Sequence, residues 1–123
     1  IILSQVYRMS SKKTIFLFIT HSIAITSLGC WKDYTDRAIA NGFHGVLGKE
    51  GCFERAKILG YQVFAVQYGG GCFTSSQAAE TYNKYGSCDI CYDGTGGMWC
   101  QDVYQIKGNL DITYVAKGFI YIL

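Results

Sequence analysis

The sequence predicts a small α+β domain stabilised by disulfides, with a mostly antiparallel sheet and one principal helix. Three observations predict it: the chain has 123 residues, it contains six cysteines, and fifteen glycines with no proline separate its apolar segments. A chain of this length forms one domain with a core of modest size. We therefore expect covalent cross-links to provide a large share of its stability.

The principal helix is predicted at about residues 49–59. Cys52, Ala56 and Leu59 share one face at helical spacing, and charged side chains occupy the opposite face. Gly60 follows directly, where a left-handed helix cap is expected.

A short second helix is predicted at about residues 75–82. Thr74 and Gln77 have the spacing of a capping box, in which the two side chains satisfy the first free N–H groups of a helix. Gly86 then provides a stop.

The strands are predicted from runs of β-branched and aromatic residues bounded by glycine. Residues 61–68 predict a buried central strand, and shorter strands are predicted at 27–33 and 103–106. Residues 33–48 predict a loop, because glycines interrupt them. Residues 107–123 contain two further strand-like runs, 111–115 and 119–123, and form either a C-terminal extension or extra strands.

An apolar segment near the N-terminus predicts export. From Met9 a short basic region precedes 13 largely apolar residues, 14–26. That length is below the roughly 20 residues of a membrane span and is typical of a signal peptide. We therefore expect residues 1–26 to comprise upstream residues and a signal peptide that is cleaved before Ser27. The alternative is that residues 15–25 form a buried strand or helix of the fold.

The charge of the chain argues against nucleic acid as a partner. The formal net charge is +2, but Arg8, Lys12 and Lys13 precede the predicted mature domain. Without them, 8 basic residues face 9 acidic ones, so no basic surface is expected for DNA or RNA. The predicted domain has no stable membrane span, and its oligomeric state is left open.

The cysteines predict structural disulfides among Cys30, Cys52, Cys72, Cys88, Cys91 and Cys100. Six cysteines permit 15 pairings. We favour Cys91–Cys100, which would close the glycine-rich loop between them. One alternative is a zinc site made by Cys88, Cys91 and Cys100 with Cys72 or His44, although the second C-x-x-C half is missing.

A redox role for the C-x-x-C of Cys88 and Cys91 is the other alternative. Redox motifs of this type lower the pKa of a thiol at a helix N-terminus. Cys91 is followed by Tyr-Asp-Gly-Thr-Gly-Gly, which does not form a helix. The sequence thus predicts no metal and no cofactor.

No catalytic constellation is predicted, and we expect the protein not to be an enzyme. His21 and His44 are the two histidines, and no nucleophile motif accompanies them. Asp33 and Asp36 lie in a turn, where carboxylates more often accept backbone N–H bonds than act as acid and base.

Several segments resemble the WSC domain in order and spacing. They are Gly29-Cys-Trp-Lys-Asp33, Arg37-Ala38, the run from Cys52 to Gly60-Tyr61, the run from Val63 to Phe73, Cys88, Gly96-Gly97 and Val103-Tyr104. The resemblance covers about residues 28–106 and defines a predicted domain at 27–106. It implies a PAN/apple-like fold, an extracellular location and carbohydrate binding.

The chain departs from the family pattern in its cysteines, because family members typically have eight. Ala56 replaces a second helix cysteine, and Phe73-Thr74-Ser75 after Cys72 replaces the rest of a C-x-C-G motif. The resemblance therefore implies the loss of one bridge, with Cys91–Cys100 as a replacement.

Sugar recognition needs aromatic faces beside a few polar groups. The candidate ligand-binding residues are Tyr68, Phe73, Tyr92, Trp99, Arg37 and Asp33. Trp31 is expected in the core. The predicted function is a secreted module that binds a glycan or glycoprotein or mediates adhesion. The alternatives are a structural, protein-binding extracellular fragment without a sugar site, and a cytosolic zinc or thiol protein.

Overall fold

The computed structural model describes the backbone of residues 2–9, 15–116 and 119–122, and the side chains of residues 23–108. The chain divides into two compact units. One unit comprises residues 25–106, and the other comprises residues 1–24 together with 107–123.

The described residues form strands and two helices. They are β1 (Ile2–Met9), β2 (Ile15–Lys32), β3 (Phe43–Val46), α1 (Gly48–Leu59), β4 (Val63–Gln67), β5 (Gly71–Thr74), α2 (Ala78–Thr81), β6 (Cys100–Ala116) and β7 (Phe119–Ile122). A short 3-10 turn at Tyr68–Gly70 joins β4 to β5. The predicted α+β class is confirmed.

The unit of residues 25–106 contains a five-stranded antiparallel sheet in the order β2-β6-β4-β5-β3. β4 lies at its centre, where Ala65 pairs with Phe73 of β5 on one side and with Val103 of β6 on the other. All five residues of β4 are buried. A strand that is covered on both faces needs apolar residues at nearly every position, and β4 has such a run.

Helix α1 has the predicted position. It buries Cys52, Phe53 and Ala56. Gly60 ends the helix in the left-handed conformation with φ 74°, and its N–H donates to carbonyl oxygens of the last turn. Leu59 was expected on the buried face but is 42% exposed, because the helix ends there and the apolar face stops at Ala56.

The second helix is shorter than predicted, and the capping box is wrong. Thr74 belongs to β5, where its buried hydroxyl donates to the carbonyl of Val63 at 2.7 Å. α2 has only four residues, and no side chain caps it. A tertiary hydrogen bond in the sheet therefore replaces the local bond that the spacing predicted.

One buried hydrophobic cluster joins the sheet to α2, and its residues are Ile39, Val63, Ala65, Phe73, Ala78 and Val103. Trp31 is partly buried and packs against this cluster. Its indole N–H donates to the Leu28 carbonyl at 2.9 Å, and its ring meets that of Tyr82 edge to face. Helix α1 packs elsewhere on β4, where the rings of Phe53 and Phe64 lie 6.1 Å apart.

All six cysteines form disulfides, which are Cys30–Cys91, Cys52–Cys72 and Cys88–Cys100. The favoured Cys91–Cys100 pairing is therefore wrong. The loop after Cys91 closes by hydrogen bonds instead, since the Tyr92 N–H donates to Gly96 and the Thr95 N–H donates to Tyr92. Cys91 instead forms its disulfide with Cys30 of β2.

In the unit of residues 1–24 and 107–123, β1 pairs with β2 and β6 pairs with β7, both antiparallel. The run predicted at 111–115 lies within β6, and residues 119–122 form β7. Lys12, Lys13 and Thr14 of the predicted signal peptide lie outside the described residues. Residues 15–25 lie in β2, which agrees with the strand of the alternative interpretation, although Ala24 and Ile25 are exposed and not buried. Signal cleavage stays a prediction.

The described residues include no helix with both the length and the apolar character that crossing a membrane requires.

Candidate functional site

Asp33 is a buried carboxylate at the start of the loop that follows β2, with 1% of its surface exposed. Its Oδ1 accepts the Ala38 N–H at 2.8 Å. Its Oδ2 accepts the Gln67 Nε2–H at 2.7 Å and the Arg37 Nη1–H at 2.8 Å. These bonds satisfy the charge that burial would otherwise penalise, and they fasten the loop to the end of β4.

Arg37 is held in one position by this carboxylate and by two aromatic rings. Its Nη1 also donates to Gln67 Oε1 at 3.1 Å. The guanidinium carbon lies 5.0 Å from the Phe73 ring centre and 4.9 Å from that of Trp99, both within cation–π range. The side chain is 36% exposed, so a fixed cation faces solvent.

Trp99 has an unusual backbone conformation. Its φ of 55° lies in the left-handed region, which a bulky residue rarely adopts and which costs about 1–3 kcal/mol. Its carbonyl accepts the Asp33 N–H at 2.9 Å, and its ring covers Arg37. Its side chain nevertheless stays 45% exposed. The fold therefore holds an exposed indole in place against the intrinsic preference of its backbone.

A depression of about 270 Å³ opens beside the guanidinium. It is lined by Arg37, Asn41, Gly42, Phe43 and Phe73. The two phenylalanine rings lie 5.2 Å apart at a tilt of 44°, and Phe43 is 59% exposed. We call this depression the arginine pocket. It combines the exposed ring of Phe43, one amide and one cation, while Phe73, a predicted ligand-binding residue, is 5% exposed and belongs mainly to the core.

Trp99 borders a second depression of about 290 Å³. Among its lining residues are Lys32, Asp33, Tyr34, Asp89, Met98 and Trp99. Because Arg37 and Trp99 are in contact, the two depressions adjoin. A larger depression of about 340 Å³ between the ends of α1 and α2 contains none of the predicted site residues.

Tyr68 begins the turn that joins β4 to β5, and Tyr92 begins the turn that precedes Trp99; each is hydrogen-bonded to the segment 96–97. The Tyr68 N–H donates to the Gly97 carbonyl at 3.4 Å, and the Tyr92 N–H donates to that of Gly96 at 3.0 Å. Both side chains are largely exposed. The structure thus brings four predicted residues into contact (Asp33, Arg37, Phe73 and Trp99) and places the two tyrosines on these two turns.

Three residues of the arginine pocket were not among the predicted site residues, namely Asn41, Gly42 and Phe43. Asn41-Gly42 does mark a turn, and Asn41 has a φ of 53°. A Cβ on Gly42 would overlap the Ile39 side chain, so the turn needs glycine to place Phe43 beside Phe73. Phe43 lies beside Phe73 because β3 pairs with β5, and the local sequence does not reveal that pairing.

The residues considered for catalysis have other partners. His44 Nε2 hydrogen-bonds to the carbonyl oxygen of Thr74 at 3.1 Å. Asp36 forms an exposed ion pair with Lys84 at 2.9 Å, and the hydrogen bond from Lys84 lowers the pKa of Asp36. Asp33 accepts a backbone N–H, as the turn predicted.

No family model, curated protein or solved structure matches the chain. The resemblance to the WSC domain therefore stays a prediction based on sequence motifs. Proposals about function depend on the geometry of the arginine pocket and its surroundings.

Proposed function

We propose that residues 25–106 form an extracellular binding module that holds a glycan or glycoprotein at the arginine pocket and Trp99. The observation that carries the proposal is the exposed indole of Trp99, kept in a left-handed conformation over a fixed guanidinium. Strained conformations of this kind persist where the surrounding structure enforces them, and they cluster at ligand sites.

The chemistry of the site suits a sugar. Sugar rings present C–H groups that stack on aromatic faces, and hydroxyl groups that need donors and acceptors nearby. Phe43 and Trp99 supply exposed aromatic surface, and Asn41 and Arg37 supply polar groups. Tyr68 and Tyr92 add exposed aromatic side chains on two turns whose backbones are hydrogen-bonded to Gly97 and Gly96.

The three disulfides support an extracellular location, because such bonds persist in oxidising compartments. They also count against a zinc or thiol protein, since thiolates are the ligands and nucleophiles that those functions need. Export by a signal peptide at residues 9–26 remains part of the proposal.

A glycan array tests the proposal directly. The wild-type chain is expected to bind at least one class of glycan, and the double variant Tyr68→Ala, Trp99→Ala is expected to lose that binding. The matched control is Ile58→Ala, because Ile58 is a 78% exposed apolar residue on α1. Equal binding by the double variant would refute the proposed site.

A protein partner is the second candidate function. β3 is the edge strand of the sheet, and its Phe43 and Val46 are 59% and 73% exposed. Exposed apolar edge strands are suited to pairing with another chain. A folded protein that binds no glycan on the array would favour this function.

A further inference from the structure

We infer that the arginine pocket selects a sugar that carries a carboxylate, such as a uronate or a sialate. This inference rests on the proposed function and adds the chemical class of the ligand.

The guanidinium of Arg37 has unused donors. Nη1 donates to Asp33 and to Gln67. Within the part of the chain whose side chains are described, residues 23–108, no acceptor lies within hydrogen-bonding geometry of Nε or Nη2. Those two groups form one edge of a planar fork, and such an edge matches the two oxygens of a carboxylate.

The charge around the pocket favours an anion. Of its five lining residues, Arg37 is charged and the others are neutral. Asp33 is buried, lines the neighbouring depression and not this one, and pairs with Nη1 of Arg37 at 2.8 Å. That pair uses Nη1, so the edge formed by Nε and Nη2 is available to a second carboxylate.

The remaining lining residues fit a sugar ring better than a flexible acidic side chain. Phe43 provides an exposed aromatic surface that lies against the buried Phe73, and Asn41 provides an amide beside it. The volume of about 270 Å³ lies just below the range of about 300–1,000 Å³ that is typical of small-molecule sites. The pocket is thus suited to one sugar unit with its carboxylate at Arg37.

An array of neutral, carboxylated and sulfated glycans provides the first test, with the full chain as it exists. We expect the bound glycans to carry carboxylates. The best binder is then compared with its carboxyl-reduced, neutral form by calorimetry, and the neutral form is expected to bind at least about tenfold more weakly. This comparison needs no variant and is independent of any effect on folding.

Arg37→Lys provides the second test, because lysine keeps the positive charge but lacks the planar fork. We expect at least about a tenfold loss of affinity for the carboxylated glycan. Arg55→Lys, at an exposed position on α1, is the matched control and is expected to bind like the wild type.

The outcomes distinguish this inference from the proposed function. Equal affinity for the acidic glycan and its reduced form would overturn the inference and leave a glycan-binding module. Binding to sulfated glycans alone, or to poly-glutamate as tightly as to the acidic glycan, would also overturn it. An array with no bound glycan would refute the proposed function itself.

Discussion

Asp33 connects the backbone of its own loop, the end of β4 and the guanidinium of Arg37. A buried carboxylate is stabilising only while its partners remain, because an unpaired donor or charge in the interior loses its hydration without compensation. The geometry of the arginine pocket therefore depends on this one side chain.

Replacement of Asp33 is expected to destabilise the domain strongly. In Asp33→Asn an amide group would face the donors of Arg37 and Gln67, so the free energy of unfolding is expected to fall by about 3 kcal/mol. Urea unfolding followed by tryptophan fluorescence measures the change. The control is Glu54→Gln, which breaks the exposed pair with Lys57 and is expected to cost at most about 1 kcal/mol. Similar losses in both variants would contradict the role of Asp33.

Trp99→Gly is expected to separate binding from stability. Glycine adopts a φ near 55° without strain, which offsets the lost contact with Arg37, worth about 0.5–1 kcal/mol. The midpoint of urea unfolding is therefore expected to change little, while glycan binding is lost. A destabilisation above about 2 kcal/mol would instead identify Trp99 as a residue needed for folding.

At the scale of elements, α1 and β4 were predictable because their signals are local. Helical spacing with a following glycine defines α1, and a five-residue apolar run defines β4. β3 and β5 have four residues each and contain or begin with glycine, so little in their own sequence indicates a strand. β5 becomes a strand by pairing with the edge of β4, and β3 becomes one by pairing with β5.

The same distinction applies to the site. Asp33, Arg37, Phe73 and Trp99 were predictable as candidates from residue type and position in turns, but their mutual contacts were not. Those contacts join residues 33, 37, 67, 73 and 99, which are separated by up to 66 positions in the chain. The tertiary fold, through the pairing of β4 with β5 and the hydrogen bond from the Asp33 N–H to Trp99, brings such distant residues together.

The turn at Gly96 is expected to tolerate no side chain. Its φ is 78°, and an added Cβ would overlap the Val66 carbonyl oxygen and lie 2.9 Å from that of Cys100. Gly96→Ala is thus expected to lower the unfolding free energy by several times the roughly 1 kcal/mol expected for Gly60→Ala. Gly60 is the matched control, because its φ is similar at 74° but no atom lies within 4 Å of its Cβ position. Equal costs, measured by urea unfolding, would contradict close packing at Gly96.

Tyr104 on β6 is expected to make stability depend on alkaline pH. Burial raises the pKa of Tyr104 above its usual value of 10.0, and its hydroxyl donates to the Gly94 carbonyl at 2.7 Å. Because the pKa is higher in the folded state, this stabilisation is complete below pH 10 and is lost as the pH rises through the raised pKa. Urea unfolding between pH 8 and about 11 is expected to show a smaller decline for Tyr104→Phe than for the wild type. The exposed Tyr68→Phe serves as the control, and identical declines in all three proteins would contradict the prediction.

At the scale of the whole molecule, each disulfide joins a strand of the sheet to a segment outside it. Cys52–Cys72 connects α1 to β5. Cys30–Cys91 connects β2, and Cys88–Cys100 connects β6, to the segment between α2 and β6. The sulfur atoms of Cys30, Cys88 and Cys100 lie within 4.8 Å of one another. Several pairings are therefore close in space, which explains why the count of cysteines and their spacing did not select the observed one.

Peptide mapping without reduction is expected to identify the pairing. Cleavage before aspartate separates Cys88, Cys91 and Cys100 from one another, because Cys88 ends the fragment 36–88, Cys91 lies in 89–92 and Cys100 lies in 93–101. Fragment 89–92 is expected to be linked to the fragment that ends at residue 32 and contains Cys30. Fragment 93–101 is expected to be linked to 36–88, which also contains the Cys52–Cys72 bridge.

Reduction before mapping is the control, since it releases every fragment separately. A link between 89–92 and 93–101 would instead demonstrate Cys91–Cys100 and contradict the observed connectivity. That link would also remove the bond from Cys91 to β2, on whose last residues the loop of Asp33 and Arg37 depends for its position. The connectivity measured in this way therefore tests the support of the arginine pocket as well as the disulfides themselves.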